Sequence, residues 1–103
     1  MAARGTTPTY TLTLNGSIDL GLAAGVYVTF RQAGRTLTKT GDDLTINGNV
    51  ISVYLVQSET LGFSEREKTE LQVNWVYADG SRGASKIVPI RFGPNLIPEV
   101  IEA

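Results

Sequence analysis

Asp42-Asp43, the trio Glu65, Glu67 and Glu70, and Asp79 are the carboxylates whose spacing invites a chemical reading. Neighbouring acids can share a cation, and a pair can divide general-acid from general-base work when their surroundings push their pKa values apart. Each set also has a structural reading, and that one is favoured. Asp42 and Asp43 lead into a tight turn, where Asp commonly bonds the turn backbone, while the three glutamates alternate with Arg66 and Lys68 in a solvated charge cluster. "DDLTINGN" has the beginnings of a calcium loop from Asp43 onward, yet Tyr54 falls where the bidentate glutamate is needed. The sequence has no His and no Cys. It therefore has no imidazole base, no thiolate nucleophile, no usual transition-metal ligand set and no route to a Ser-His-Asp triad. Its glycines form neither G-x-G-x-x-G nor a phosphate-binding P-loop. The expectation is a chain with no catalytic, cofactor-binding or metal-ligating residues and no cofactor. The one enzymatic alternative is catalysis by carboxylates alone.

Composition narrows the partners. Nine Lys and Arg against ten Asp and Glu leave a net charge of -1, which argues against nucleic acid. No run approaches the roughly 20 apolar residues of a membrane span, and "MAARGTTPT" lacks the apolar stretch of an export signal. Asn15-Gly16-Ser17 is accordingly read as a turn rather than a glycosylation site. Without cysteine the fold needs no oxidising compartment. A chain of 103 residues makes one domain that buries roughly 60 to 65% of its unfolded surface.

The periodicity is that of strands. "TYTLTL" puts Tyr10, Leu12 and Leu14 on one face. "NGSIDLGLAAG" is a connection offering Ile18, Leu20 and Leu22 to one end of the core. "VYVTFRQ" turns Val26, Val28 and Phe30 inward and Tyr27 outward. Residues 33 to 35 turn the chain into "TLTKT", a polar edge strand with Lys39 guarding it. Asn47-Gly48 predicts a type I′ hairpin with Leu44 opposite Ile51. Val53 and Leu55 extend that face, and Val50, Ser52, Tyr54 and Val56 the other, which predicts a strand that is central or covered at one end. "SETLGFSEREKTE" is a crossover or a single helical turn. "LQVNWVY" aligns Leu71, Val73, Trp75 and Tyr77, with Trp75 read as core. Asp79-Gly80 is a second primed-turn signal, and "ASKIVPIRF" is the last strand, limited in its pairing by Pro89. The sum is an all-β, two-sheet antiparallel β-sandwich of immunoglobulin-like type with about seven strands. The expected division is an N-terminal arm over 1–8, the sandwich over 9–92 and an extended C-terminal arm over 93–103.

Tyr27 and Tyr54 lie opposite their strands' main apolar rows, so they are candidates for contact with a partner. "GPNLIPEVIEA" carries Leu96, Ile97, Val100 and Ile101 between two prolines that disfavour a helix. Those four side chains either fold back on their own sandwich or dock on a neighbour. A binding module for carbohydrate or a cell-surface receptor is the alternative to an assembly role.

The order of "TPTYTLTL", "VYVTFRQAGRTLTKTGDDLTINGNVISVYLVQSETLGF" and "ELQVNWVYADGSRGASKIVPI", over about residues 7 to 92, resembles small phage and prophage proteins of Gram-positive bacteria that are similar to the N-terminal β-sandwich of baseplate upper proteins. The "YVTF" strand, the "QSETL" segment and the "DGS" hairpin before "ASKI" carry the resemblance. It implies a virion, tail or baseplate-associated structural protein, assembled in the bacterial host cytoplasm. Its implied partners are other virion or tail proteins or copies of itself.

Overall fold

A computed structural model describes residues 2–102. Ten strands occur among them: β1 (Ala2–Ala3), β2 (Thr9–Thr13), β3 (Gly25–Gln32), β4 (Arg35–Thr40), β5 (Leu44–Asn47), β6 (Val50–Tyr54), β7 (Thr69–Val76), β8 (Arg82–Ala84), β9 (Val88–Ile90) and β10 (Phe92–Gly93). One α-helical turn, α1 (Gln57–Leu61), joins β6 to β7. One sheet has the order β2-β6-β5; the other has the order β4-β3-β7-β8, with β9 also on β7. β1 and β10 form a parallel pair that ties the two ends of the described chain together.

The protein is thus the all-β sandwich that the alternation predicts, with more strands than seven. The extra ones have local causes. The predicted last strand is interrupted after Ala84, where the Ser85 hydroxyl accepts the Val73 N–H at 2.9 Å in place of a ladder carbonyl. Ala2–Ala3 lies in the expected N-terminal arm and Gly93 in the expected C-terminal one, yet both sit in strands; Met1 and Ala103 of those arms lie outside the described residues.

β3 and β7 are paired over seven positions, from Gly25↔Val76 to Arg31↔Glu70. Val26, Val28 and Phe30 on one strand and Leu71, Val73 and Trp75 on the other are all buried. Across the sandwich they meet Ile51, Val53 and Leu55. Tyr10 leans on Phe30 with ring centroids 5.8 Å apart, and Phe63 stacks on Phe92 at 4.9 Å, so the 62–68 loop and the chain's last strand close one end of the core. Burial of each large side chain contributes about 1.5–3 kcal/mol. Leu20 plugs the core as expected, but Leu22 is 74% exposed, because the 3-10 turn Leu20–Leu22 leaves the two side chains on different sides.

Three readings of the sequence need correction. The β5–β6 hairpin pairs Asn47 with Val50, so its two-residue loop is Gly48-Asn49, and Leu44 lies opposite Val53 rather than Ile51. Gly48 alone has positive φ, 60°, which suits Gly at the first position of a type II′ turn. Because the register moves by two residues, every side chain keeps its expected face. The Asp79-Gly80 turn is not a two-residue primed turn either. Gly80 N–H bonds Tyr77 O and Tyr77 N–H bonds Ser81 O, both at 2.9 Å, so the loop has three residues with Gly80 left-handed at φ 89°. β4 is an edge of its sheet, as expected, but Lys39 does not stand in solvent beside it: its side chain points inward, buried and bonded to Glu59.

Gly48→Val should cost about 1–3 kcal/mol, the strain of a β-branched residue at positive φ; no atom within 4 Å would oppose the added Cβ. Ala33, at φ 47°, is the one non-glycine residue with positive φ among those described. Ala33→Gly should gain about 0.5–1 kcal/mol, the left-handed penalty less the entropy of glycine. Denaturation midpoints moving in opposite directions at constant m would bear out both turns, and an unchanged midpoint for Gly48→Val would refute the hairpin assignment.

Candidate partner-binding surfaces

Buried polar clamps hold the connecting segments in place. Gln32, at the end of β3, donates through Nε2 to Ser64 O, Glu67 O and Thr69 Oγ1 at 2.9–3.1 Å, and its Oε1 accepts Ser64 N–H at 2.7 Å. One buried amide thereby fixes the whole 64–69 turn. Lys39 Nζ bonds both oxygens of Glu59 at 2.8 and 2.7 Å. Glu59 Oε1 also accepts the Val56 N–H at 2.9 Å, forming half of a capping box at the start of α1. Glu59 therefore anchors α1 both to its own N-terminus and to β4.

The C-terminal segment is held in cis by its backbone. Asn95 Nδ2 donates to Arg4 O at 2.7 Å, and the Gln57 side-chain amide brackets Ile101, donating to its O at 3.1 Å and accepting its N–H at 2.9 Å. Its apolar side chains are not covered by these bonds. Leu96 is fully exposed, and Ile97, Val100 and Ile101 are each about half exposed. The segment therefore lies along its own domain while presenting its four expected contact residues to solvent.

Tyr27 and Tyr54 are exposed at 42% and 48%. They do not converge. Tyr27 is on the β3 sheet, with its ring folded back over Gly25, whereas Tyr54 is on the other sheet, paired with Thr9. Tyr54 is three residues from Gln57, which carries Ile101, so Tyr54 and the C-terminal segment share one end of the molecule.

A groove of about 450 Å³ runs between the two sheets, beside the edge of β2. Leu12, Leu14 and Ile18 form one wall, Trp75 and Val88 the other, with Lys86 at the rim. Trp75 is core, as its parity predicts, yet its indole also reaches this opening because Gly83 opposite it has no side chain; a Cβ there would sit 2.5 Å from the ring. The alternation of "TYTLTL" predicts the first wall, but nothing local predicts that β8 and β9 stop short of closing the side.

Among the described residues no three of His, Cys, Asp and Glu are grouped closely enough to hold a metal ion. The hydroxyl and backbone N–H of Ser81 hold the Asp79 carboxyl below its usual pKa. Burial raises that of Tyr10 above the ordinary phenol value. No family model, curated protein or solved structure matches the chain.

Removing one partner of the Lys39–Glu59 pair should destabilise the domain by about 3 kcal/mol. In a double-mutant cycle, Lys39→Met with Glu59→Leu should cost less than the two single changes summed; strict additivity of the denaturation free energies would deny the coupling. Millimolar calcium should leave the melting temperature unchanged, since a ligand at one hundred times its Kd would add about 2.7 kcal/mol. A rise reversed by chelator would revive a site at Asp42, Asp43 or Asp79.

Proposed function

We propose that this chain is a non-enzymatic assembly module of a phage or prophage particle, a small β-sandwich that docks on other virion, tail or baseplate proteins or on copies of itself. One observation carries the reading: Leu96, Ile97, Val100 and Ile101 stand in solvent although the backbone that bears them is hydrogen-bonded in place. Four apolar side chains on a positioned segment are characteristic of a surface that a partner covers. The resemblance of residues 7 to 92 to baseplate-type sandwiches supports the same class. On this reading the protein acts within the virion, assembled in the host cytoplasm, and its chemistry is packing rather than catalysis. Tyr27 and Tyr54, on opposite sheets, offer no common stacking platform for a sugar, which weighs against the binding-module alternative.

Mass spectrometry of density-purified particles from a host expressing the chain should recover its peptides in stoichiometric amounts with the known structural proteins. Particles free of it, with the chain left in the soluble lysate, would sink the reading.

A further inference from the structure

Three of the four edges of the two main sheets carry devices that discourage further pairing. β4 points the charged Lys39 inward. β5 is four residues long and starts from the 3-10 turn Gly41–Asp43. The β8–β9 edge is interrupted between Ala84 and Val88 and contains Pro89. Short strands, inward charges and prolines are established ways of closing an edge.

β2 has none of these. Its sequence, Thr-Tyr-Thr-Leu-Thr, is uncharged and free of Pro and Gly. Leu55 N–H donates to Pro8 O at 3.1 Å and Leu14 N–H to Asn49 O at 2.8 Å. Bonded pairs recur at every second residue of an antiparallel ladder, so Tyr10 and Leu12 also direct their N–H and C=O groups to β6. The N–H and C=O groups of Thr9, Thr11 and Thr13 point the other way, where no strand among the described residues meets them. The apolar groove opens on this same side, with Leu12 and Leu14 in its wall. An open edge beside a groove fits an extended apolar segment, whose backbone adds to the sheet while its side chains fill the space between the layers.

We propose that the occupant is the C-terminal segment of a second copy of this chain. Ile97 enters the groove and Glu99, two residues on and so on the same face, meets Lys86 at the rim; Ile97 and Glu99 direct their N–H and C=O groups to the free edge of β2, which leaves Pro98, without an N–H, on the outward side; this rests on the assembly reading above and names its partner. The segment has the required chemistry, apolar side chains already in solvent with an acid among them, and the groove has the complementary cation. A chain cannot fill its own groove in the conformation seen. Ile101 is bracketed by Gln57, against Thr6 and Thr7. The groove lies five to eight residues further along at Leu12–Asn15, about 16–26 Å at strand spacing. Segment and groove are different patches, so the contact is head-to-tail and repeats from copy to copy as a ring or a filament.

Trp75 is the sole tryptophan and lines the groove, so it reports occupancy directly. Light scattering and tryptophan emission of the full-length protein, followed from micromolar to millimolar concentration, should show mass growth and a blue shift together. Ile97→Glu, at a half-exposed position, should abolish both while the protein still melts cooperatively. Thr11→Pro should weaken assembly, because it removes an outward N–H that the β6 ladder does not use. Lys86→Glu should weaken association about two- to fivefold, as expected for an exposed ion pair, and adding Glu99→Lys should restore it. A protein that stays monomeric at millimolar concentration, or an oligomer indifferent to both Ile97→Glu and Thr11→Pro, overturns the proposal. The two readings fail separately: a monomer that is nonetheless recovered from particles refutes only the head-to-tail contact, and an oligomer of the stated kind absent from particles refutes only the phage role.

Discussion

A slip of one residue between β3 and β7 would turn Val26, Val28 and Phe30 out of the core and bring Tyr27, Thr29 and Arg31 into it, since side chains alternate with a period of two. That register constrains the rest of the domain. β4 is hung on β3, and β8 and β9 on β7, while the three-stranded sheet finds its partner surface only in the row that the β3–β7 ladder presents. The ladder is closed at one end by Gln32, whose amide satisfies four groups from the 64–69 turn and Thr69. A side chain of that size left unpaired would cost about 1–3 kcal/mol per buried group. Its full satisfaction holds the crossover in place, so that Phe63 within it stacks on Phe92.

The polar residues within the fold act as locks on connections rather than as a reaction centre. Lys39 and Glu59 show the principle. Two charges are drawn from water, so their attraction must offset a desolvation cost of several kcal/mol per ion. The result is geometric more than energetic, since it fixes where α1 sits over β4. Positioning α1 also positions Gln57 and with it the C-terminal segment. A chain of polar contacts thus runs from the edge strand of one sheet to the exposed apolar side chains proposed as the docking element.

How much was legible before folding varies with the range of the interaction. The strand runs, the central place of β6, the core role of Trp75 and the exposure of Tyr27 and Tyr54 all follow from alternation, which is local. The two turns are located to within a residue but mistyped: type I′ at Asn47-Gly48 proves to be a Gly48-Asn49 loop of type II′, and the Asp79-Gly80 turn a three-residue loop. Asn47-Gly48 and Gly48-Asn49 are both plausible loops by composition, and the choice was made by which register brought Leu44 and Ile46 against Val53 and Ile51. Lys39 lies on an edge strand as expected, but its burial is not legible locally, for a related reason. Its polar strand suggests a solvent edge, and only the return of the chain through α1, twenty residues later, supplies the carboxylate that allows its ammonium to be buried.

By itself the sequence determined the class of the fold, the inward and outward faces of nearly every strand, and the absence of imidazole and thiol chemistry, because residue type and a two-residue period decide these without reference to distant parts. Tertiary structure alone decided that β1 pairs with β10, that the last strand breaks at Ser85, that an edge of β2 stays open beside a groove, and that the C-terminal segment is fixed by its backbone yet bare at its side chains. Each of these depends on which groups distant in the chain meet at hydrogen-bonding distance and which do not. A local pattern carries no information about such meetings, because they are set by the packing of the two sheets as a whole.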